Sequence, residues 1–434
     1  MHADRPDPTR PDTRRPPAAP ESLPQSRIRT ARVIGGSLGG LLAANLLSRS
    51  GWAVKVYERS AQGLTGRGAG IVTHPELFEA LERCGLTLDD TLGVRVKSRI
   101  TLAPDGSTLG HLAMEQVLTA WGQLFDLLRG ALAGDCYVNG LGAVAVEELA
   151  DGVRLHLSNG RSEDVDLVVA ADGIRSGLRA QFAPHVTPQY AGYIAWRGLV
   201  DESRITPQTH ALLFDRFAFC LPPCEQILGY PVAGPNNRVE QGHRRFNLVW
   251  YRPADEAQTL RDLLTDSDGQ VHRGGIAPQS IRPEVIAAIR RSAHEVLAPQ
   301  FAELIDRVEQ PFFQPIYDLS SDRLNFGRTV LLGDSAFVAR PHCGMGVTKA
   351  AGDAMALVRN LETHPSIQTA LEAYNAERSA FGRAVVEHAR RLGAYMQAQL
   401  RTPEERVMAE RYRSPEAVMR ETASSEVFTL RADH

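Results

Sequence analysis

Residues 33–60 have the sequence "VIGGSLGGLLAANLLSRSGWAVKVYERS", and the pattern in this segment indicates the fold class. Its first apolar residues predict the end of a buried strand, and the glycines from Gly35 to Gly40 predict a tight turn. Leucines then recur at near-helical spacing, and "WAVKVYE" alternates as a second strand does. This order of strand, glycine turn, helix and strand predicts a βαβ unit and therefore an α/β fold.

The glycine turn matches a dinucleotide-binding fingerprint at two of its three glycines, Gly35 and Gly40. The helix N-terminus would offer N–H groups to a pyrophosphate, and Glu58 at the end of the second strand would bind ribose hydroxyls. Ser37 replaces the second glycine: its Cβ hinders close approach of the phosphate, whereas its hydroxyl can donate to it. On this segment alone, a plain βαβ turn remains the alternative.

Two distant segments place a further acid at the end of an apolar strand. "DVDLVVAADGIRSGLR", residues 164–179, reaches Asp172 and then a helix with arginines. "RTVLLGDSAFVARPHCGMGVTKAAGDAMALVRNL", residues 328–361, reaches Asp334, a glycine-containing loop and a helix. Open α/β sheets bind ligands at the carboxyl ends of their strands. Either pair of Asp and Gly is more often only a turn, but three such elements in this order are much more specific.

Composition sets the broad class. At 434 residues the chain exceeds the size that one hydrophobic core usually supports, so we expect two domains. Its 43% apolar and 23% charged residues are typical of a soluble protein. A formal net charge of −3 gives no electrostatic reason for a nucleic-acid or membrane partner. The five cysteines are scattered, without the CxxC pairs of metal sites, so we expect no metal and a reducing cytoplasm.

Residues 188–311 contain short, aromatic-rich runs divided by proline and glycine, which predict a mainly antiparallel sheet. Such a sheet can roof a ligand at a domain interface. The aromatic candidates for the pocket are Tyr193, Trp196, Phe214, Phe219, Tyr230 and Trp250. Since strands send alternate side chains to opposite faces, a core position is an equal alternative for each. Arg197 lies within an apolar strand, where an unpaired charge is costly, so we expect it to meet a partner or ligand.

The three glycine- and acid-containing motifs together resemble those of the class A flavoprotein aromatic monooxygenases, the para-hydroxybenzoate hydroxylase type. The segments "GGSLGG" (35–40), "YAGYIAWRGLV" (190–200), "FNLVWYRP" (246–253) and "GDSAFVARPHCGMG" (333–346) are similar to the 2,6-dihydroxypyridine 3-hydroxylase branch. In that branch a serine at the second glycine position is familiar. The resemblance covers about residues 30–400 and implies non-covalent FAD, with NAD(P)H as a transient co-substrate.

The resemblance implies a role for each matched position. Gly35, Ser37 and Gly40 would hold the pyrophosphate, Glu58 the adenosine ribose, Asp172 both flavin and nicotinamide, Asp334 the ribityl chain, and Pro341 with the backbone from Gly344 to Gly346 the isoalloxazine ring. Leu38, Arg59 and Gln123 are further candidates for cofactor binding, without a specific role. Arg67 is a further candidate near the flavin, for which a solvated loop arginine is an equal alternative. Gln123 stands in a region where many relatives carry a flavin-contacting arginine.

The implied chemistry is hydroxylation of an electron-rich aromatic or N-heteroaromatic ring, with O₂ activated as a flavin hydroperoxide. The protein then supplies orientation, exclusion of water and electrostatics. A base that deprotonates a ring hydroxyl would assist. His342, beside Pro341, is the candidate base, and a structural histidine is the alternative; with Arg197, these residues are the predicted catalytic set.

Two other functions stay open at this point. One is another flavoenzyme of the same fold, such as a reductase or halogenase, although Trp196 and Trp250 stand too far apart for the paired tryptophans of a halogenase. The other is a flavin-binding redox sensor without turnover. An aromatic compound that stimulates NAD(P)H consumption would favour the monooxygenase over both.

We therefore predict a discontinuous, Rossmann-like FAD-binding domain, residues 30–187 and 312–400, and a substrate domain, residues 188–311. The first 29 residues, rich in proline and arginine, are predicted to be a disordered tail without a signal peptide. The segment after the third motif has a helical period and should pack on the flavin domain. Residues 401–434 are predicted to be a tail with a helix that covers either a neighbouring subunit of a homodimer or the same chain.

Overall fold

The structure is a computed structural model, and it describes residues 28–62, 64 and 70–425. The predictions about Arg67, about most of the N-terminal tail and about residues 426–434 lie outside this part of the chain. Strands are numbered β1–β18 and helices α1–α12 along the sequence.

The quoted glycine-turn unit lies at the centre of a six-stranded sheet. Across this sheet the strands are β16 (Asn325–Phe326), β17 (Thr329–Leu331), β10 (Leu167–Ala170), β1 (Thr30–Ile34), β2 (Ala53–Glu58) and β6 (Tyr137–Asn139). All neighbours pair in parallel except β16 and β17. Helix α1 (Leu38–Arg49) crosses from β1 to β2. The carboxyl ends of β1, β10 and β17 therefore meet at one edge, as the three motifs predict.

The second sheet has nine strands and is antiparallel except where β12 pairs with β4. Across it the strands are β18 (Phe337–Val338), β15 (Phe312–Ser320), β11 (Gln189–Asp201), β14 (Arg245–Pro253), β13 (Gln226–Val232), β12 (Arg216–Cys220), β4 (Val94–Leu102), β5 (Thr108–Ala120) and β3 (Gly70–Val72). Strands β3–β5, β15 and β18 come from outside residues 188–311. The substrate-side sheet is thus assembled from more of the chain than the predicted domain boundaries include.

The remaining elements complete the layers. A three-stranded sheet contains β7 (Ala143–Leu149), β8 (Gly152–Leu157) and β9 (Ser162–Val165). The other helices are α2 (Pro75–Arg83), α3 (Trp121–Ala131), α4 (Gly177–Phe182), α5 (Pro207–Leu213), α6 (Thr259–Leu263), α7 (Pro283–Val296), α8 (Pro299–Arg307), α9 (Gly346–Thr363), α10 (Ile367–Leu392), α11 (Pro403–Arg411) and α12 (Pro415–Glu421). These layers confirm the α/β class with a Rossmann-like sheet, a mainly antiparallel sheet and C-terminal helices.

The large sheet separates two apolar clusters. On one face, Trp196 and Trp250, which pair across β11 and β14, pack with Phe301 of α8. On the other face, Tyr193, Tyr251 and Phe217 pack toward the loop before α9. Strand alternation therefore decides which aromatic residues face the six-stranded sheet. Within the described ranges, no helix is both long and apolar enough to cross a bilayer.

Candidate active site

The turn between β1 and α1 has space for glycine alone at two positions. Gly35 has φ +102°, and a Cβ on it would lie 2.3 Å from the carbonyl oxygen of Ala171. A Cβ on Gly40 would lie 1.9 Å from the carbonyl oxygen of Gly35. The first glycine thus brings β1 close to the end of β10, and the last lets α1 start directly against the turn.

A crevice of about 510 Å³ lies over this turn. Its lining includes Gly35, Ser37, Glu58, Arg59, Trp121, Asp172 and Arg175. Ser37 precedes α1 without making a side-chain cap, so the first-turn N–H groups stay available to a ligand. The Glu58 carboxylate accepts hydrogen bonds from the N–H groups of Gly36 and Ser60, both at 2.9 Å, and these bonds fix its position at the end of β2.

Asp172 holds the second motif in place and keeps one oxygen unused. Its Oδ2 accepts from the Gly177 N–H at 3.0 Å, which ties it to the start of α4. Its Oδ1 is buried without a hydrogen-bond partner in the described part of the chain. Burial raises the pKa of this carboxyl group. A buried acceptor beside a crevice is costly unless a ligand satisfies it.

A buried ion cluster centred on Asp353 holds the third motif in place. Gly333 N–H donates to Asp353 Oδ2 at 3.1 Å, and Arg378 Nε donates to Asp353 Oδ1 at 2.8 Å. Lys349 Nζ, fully buried, lies 3.7 Å from Asp353 Oδ2. The adjacent Asp334 faces two further cavities, described below. Its pKa is raised, because protein surrounds the carboxyl group on its other sides.

These features fit FAD. The glycine turn and the uncapped helix suit a pyrophosphate, and the Asp172 Oδ1, unpaired among the described residues, suits a hydroxyl donor. Asp334 lines a second cavity that shares Arg175 with the crevice and is bordered by Val338, Ala339 and Pro341. Leu38 and Gly40 are buried behind the turn and support it without lining the crevice.

A cavity of about 340 Å³ lies between this loop and the large sheet. Arg197, Pro341 and His342, the predicted catalytic set, all line it, together with Asp334, Gly344 and Gly346. Its aromatic lining consists of Phe217, Tyr230, Tyr251 and Phe312. A neighbouring cavity of about 800 Å³ shares Phe312, Gln314, Asp334, Val338, Ala339 and Pro341 with it and reaches Arg175 and Arg273. The loop thus lies between two adjoining spaces.

His342 is buried and neutral. Its Nε2 lies 2.8 Å from the hydroxyl oxygen of Tyr193, and its ring packs 4.1 Å from that of Tyr251. Burial, and then the charges of Arg340 and Arg197, hold the pKa of His342 well below its usual range. Its Nδ1 is buried without a partner among the described residues. This ring therefore has one nitrogen fixed by the protein and one left for another group.

The two arginines of the cavity differ in their partners. Arg340 is buried and forms an ion pair with Asp318, with Nη2 at 2.8 Å from Oδ2. Arg197 is half-buried, and within residues 28–62, 64 and 70–425 it has no ion pair and its Nε has no hydrogen-bond acceptor. The positive charge of Arg197 acts to lower the pKa values of Tyr230, Tyr251 and His342. Among the described residues, Arg197 is thus the arginine of this cavity that has no ion pair.

The structure separates the predicted aromatic residues. Tyr230 lines the cavity, and Tyr193 lies behind His342 as its hydrogen-bond partner. Phe219 stacks on Phe217 at 4.8 Å and supports the lining from behind. Trp196, Phe214 and Trp250 instead belong to the cluster on the opposite face of the sheet.

Three cavity aromatics, Phe217, Tyr251 and Phe312, were missed, and strand alternation could have found the first two. Tyr251 directly follows Trp250, and it lies opposite Ala195, which shares its sheet face with Arg197. Phe217 lies two residues before Phe219 on β12 and so shares its face.

Gln123 is buried, donates to the Thr91 carbonyl oxygen at 2.5 Å, and does not line the crevice. It does not replace an arginine at the cofactor.

Comparison with known proteins gives a consistent result. Residues 190–318 match a family model described as "FAD binding domain-like". The chain is 31% identical to 3-amino-4-hydroxybenzoate 2-monooxygenase of Streptomyces cremeus, with 83% of this chain and 86% of the relative covered. It is 28% identical to 2,6-dihydroxypyridine 3-monooxygenase of Paenarthrobacter nicotinovorans, with 84% of this chain and 91% of the relative covered.

The solved structures agree. The structure of 2,6-dihydroxypyridine-3-hydroxylase from Arthrobacter nicotinovorans superposes with a TM-score of 0.79 at 27% identity, covering 85% of this chain and 93% of that one. HpxO from Klebsiella pneumoniae, solved with FAD and uric acid, shares the fold with a TM-score of 0.72 at 24% identity, covering 93% of this chain and 96% of that one.

Proposed function

The chain belongs to the FAD-dependent aromatic monooxygenases, and from this premise we propose that it hydroxylates a small aromatic or N-heteroaromatic ring bound as its hydroxyl-derived anion beside Arg197. Bound FAD, reduced by NAD(P)H, supplies the activation of O₂ in this family. The protein's own residues bind the ring, remove its proton and exclude water.

The observation that carries this proposal is the uncompensated charge of Arg197. The other arginine of the cavity, Arg340, is paired with Asp318, and the acid that lines the cavity, Asp334, lies in the third cofactor motif. A guanidinium in a mostly aromatic cavity favours an anionic ligand, since the ligand then supplies the missing partner. The two curated relatives described above act on hydroxylated rings, by their names.

Cavity size favours a compact substrate. About 340 Å³ lies at the low end of the roughly 300–1,000 Å³ of small-molecule pockets. The walls formed by Phe217, Tyr230 and Tyr251 offer ring faces for stacking. Burial raises the pKa of Tyr230 to about 12 despite the nearby Arg197, so its hydroxyl stays neutral and can donate to a substrate oxygen. A single or fused ring with one or two polar substituents meets these requirements.

His342 is proposed as the proton acceptor. In the tautomer whose Nε2–H donates to the Tyr193 oxygen, the free Nδ1 presents a lone pair for the substrate's hydroxyl proton. Burial and two arginines disfavour the charged imidazolium on its own. The substrate anion that forms beside Arg197 offsets this penalty, because it adds a negative charge to the same cavity.

The test is the ionisation state of the bound ring. FAD-loaded protein is titrated with hydroxypyridines, hydroxybenzoates and phenols, at pH values below and above the pKa of each ligand, and binding is followed by the flavin absorbance. We expect wild type to prefer the anion, and Arg197→Gln to lose about 10–100-fold of affinity for the anion but little for neutral analogues. Arg197→Lys should retain part of the preference, and Arg238→Gln, an exposed arginine, should retain all of it. An unchanged anion preference in Arg197→Gln would overturn the proposal.

A further inference from the structure

We propose that residues 415–425, called here the C-terminal cap, form the wall that closes the substrate cavity and limits the size of the ring it accepts. The cap consists of α12 and residues 422–425. The inference rests on the proposed function, because it concerns the same cavity. It assigns a role in specificity to a segment that none of the three cofactor motifs includes.

The cap touches the cavity directly. Thr422 and Ala423 line it together with Arg197, Tyr251 and His342. The Ala423 N–H donates to the carbonyl oxygen of His342 at 2.8 Å. The cap is thereby bonded to the backbone of the residue proposed to accept the substrate's proton.

Arg99 anchors the cap from the large sheet. This side chain on β4 is fully buried, and its Nη1 donates to the carbonyl oxygens of Met419 at 2.6 Å and Thr422 at 2.5 Å. Its Nη2 donates to the Ala423 carbonyl oxygen at 3.2 Å. The guanidinium also lies 5.0 Å over the ring of Phe217, which lines the cavity. One buried cation thus binds three backbone carbonyl oxygens at the end of the cap and contacts a cavity wall.

Two more side chains, the half-buried Gln116 and the buried His74, bind the same carbonyl oxygen. Gln116 Nε2 donates to Ala423 O at 3.0 Å, and His74 Nε2 donates to it at 3.4 Å. His74 Nδ1 accepts from the hydroxyl of Thr348, at 2.9 Å, in the first turn of α9. The cap is therefore connected to β5, to the start of α2 and to the helix that follows the flavin loop.

The backbone at Ala423 is held in an unfavourable conformation. Its φ of +51° is left-handed, which costs an alanine about 1 kcal/mol. A Cβ on Gly344, in the flavin loop, would lie 2.7 Å from the Ala423 Cβ. The cap thus presses against this loop without a gap, and the hydrogen bonds to Arg99, Gln116 and His74 keep it there.

Apolar contacts complete the closure. Val418 and Met419 are buried in the cluster that also contains Phe217, Tyr230 and Tyr251. A displaced cap would expose this cluster and open the cavity to water. Since hydroxylation needs a dry cavity, the expected consequence is peroxide in place of product.

The first experiment releases the cap. Arg99→Met keeps most of the length and the apolar stem of the side chain but removes the hydrogen bonds that Arg99 donates to the cap. Arg95→Met, at an exposed arginine on the same strand, is the matched control. We expect trypsin to cleave after Arg420 about tenfold faster in Arg99→Met than in wild type, with flavin still bound and a larger share of NAD(P)H converted to peroxide. Arg95→Met should behave as wild type.

The second experiment changes the wall itself. Thr422→Ala enlarges the cavity and Thr422→Leu fills it, while both keep the backbone bonds to Arg99. Because a methylene in an apolar pocket changes discrimination by about tenfold or more, Thr422→Ala should shift kcat/KM toward larger rings and Thr422→Leu toward smaller ones.

The outcomes separate this inference from the proposed function. If wild type hydroxylates a ring compound but Thr422 variants keep its size preference, and Arg99→Met keeps its cleavage rate and coupling, the cap is only structural and the inference fails. If Arg197→Gln loses the anion preference in the same experiments, the proposed function is still supported although the inference about the cap fails. If Arg99→Met does not fold, the Thr422 pair alone decides, since an unchanged size preference in both variants refutes the inference.

Discussion

Arg197 and Arg340 occupy one cavity, yet their surroundings give them different roles. Asp318 pairs with Arg340 at 2.8 Å and makes it part of the buried framework. Arg197 has no such acid among the described residues, so its charge remains for a ligand. The sequence predicted a partner or ligand for Arg197, because a charge interrupts an apolar strand there. The pairing of Arg340 could not be predicted, since Asp318 lies on another strand and nothing in the local sequence connects them.

His342→Gln is expected to uncouple the enzyme. Removing a general base typically costs about 10²–10⁴-fold in rate, so product formation should fall by about 100-fold while NAD(P)H oxidation falls much less. Product and peroxide per NAD(P)H are measured with the best substrate found. His185→Gln, at an exposed histidine, is the control. Wild-type coupling in His342→Gln would show that the ring is structural.

The pH dependence of this step follows from the lowered pKa of His342. The imidazole is already neutral at ordinary pH, so its protonation should produce no loss of activity between about pH 6 and 8. An acid limb in this range, if measured, should instead move with the pKa of the substrate hydroxyl when different substrates are compared. A limb that stays at one pH near 6.5 for all substrates would contradict this reading.

At the scale of elements, strand alternation decides which predictions about the pocket hold. The antiparallel sheet and its aromatic content were predicted from short runs between proline and glycine. The sheet face on which each residue lies was not predicted. Alternation shows which residues of a strand share a face, but not which of the two faces meets the cofactor. Trp196 and Trp250 pair with each other away from the cavity, whereas Ala195 and Tyr251 pair toward it. One inward residue on a strand, such as Arg197 on β11, assigns the faces of that strand alone, and the register in the structure extends the assignment to β14.

The bond between α2 and the C-terminal cap predicts a pH-dependent stability. Burial lowers the pKa of His74 to about 4, from 6.5. Between these values the unfolded chain binds a proton that the folded chain does not, so the free energy of unfolding should fall as pH drops from about 6.5 to about 4. The full effect is on the order of 3 kcal/mol.

His74→Gln retains a donor for the Ala423 carbonyl oxygen but removes the titration. Denaturant unfolding at several pH values should therefore give a shallower decline in stability for His74→Gln than for wild type, and His185→Gln should decline as wild type does. Parallel curves for wild type and His74→Gln would show that His74 is not the group responsible.

At the scale of the whole molecule, the sequence predicted the two layers and the cofactor crevice but not how the large sheet is built. The three cofactor motifs are local, since each combines a strand end and a turn within a few residues. Strands β4 and β5 join the substrate-side sheet through pairing of β4 with β12, over a hundred residues later in the chain. The C-terminal segment was predicted to contain a helix that covers either a neighbouring subunit or the same chain. The contacts of the cap with Arg99 and His342 lie within the same chain.

If the proposed function holds, this chain transfers one oxygen atom from O₂ to an ionised ring held beside Arg197. The most direct measurement is turnover under ¹⁸O₂ with NAD(P)H and the ring compound that binds most tightly, with mass analysis of the product for wild type and Arg197→Gln. We expect the wild-type product to gain one ¹⁸O atom on the ring, and the Arg197→Gln variant to consume NAD(P)H but release mostly H₂¹⁸O₂. A wild-type product without ¹⁸O, or an Arg197→Gln variant that labels the ring as efficiently as wild type, would contradict it.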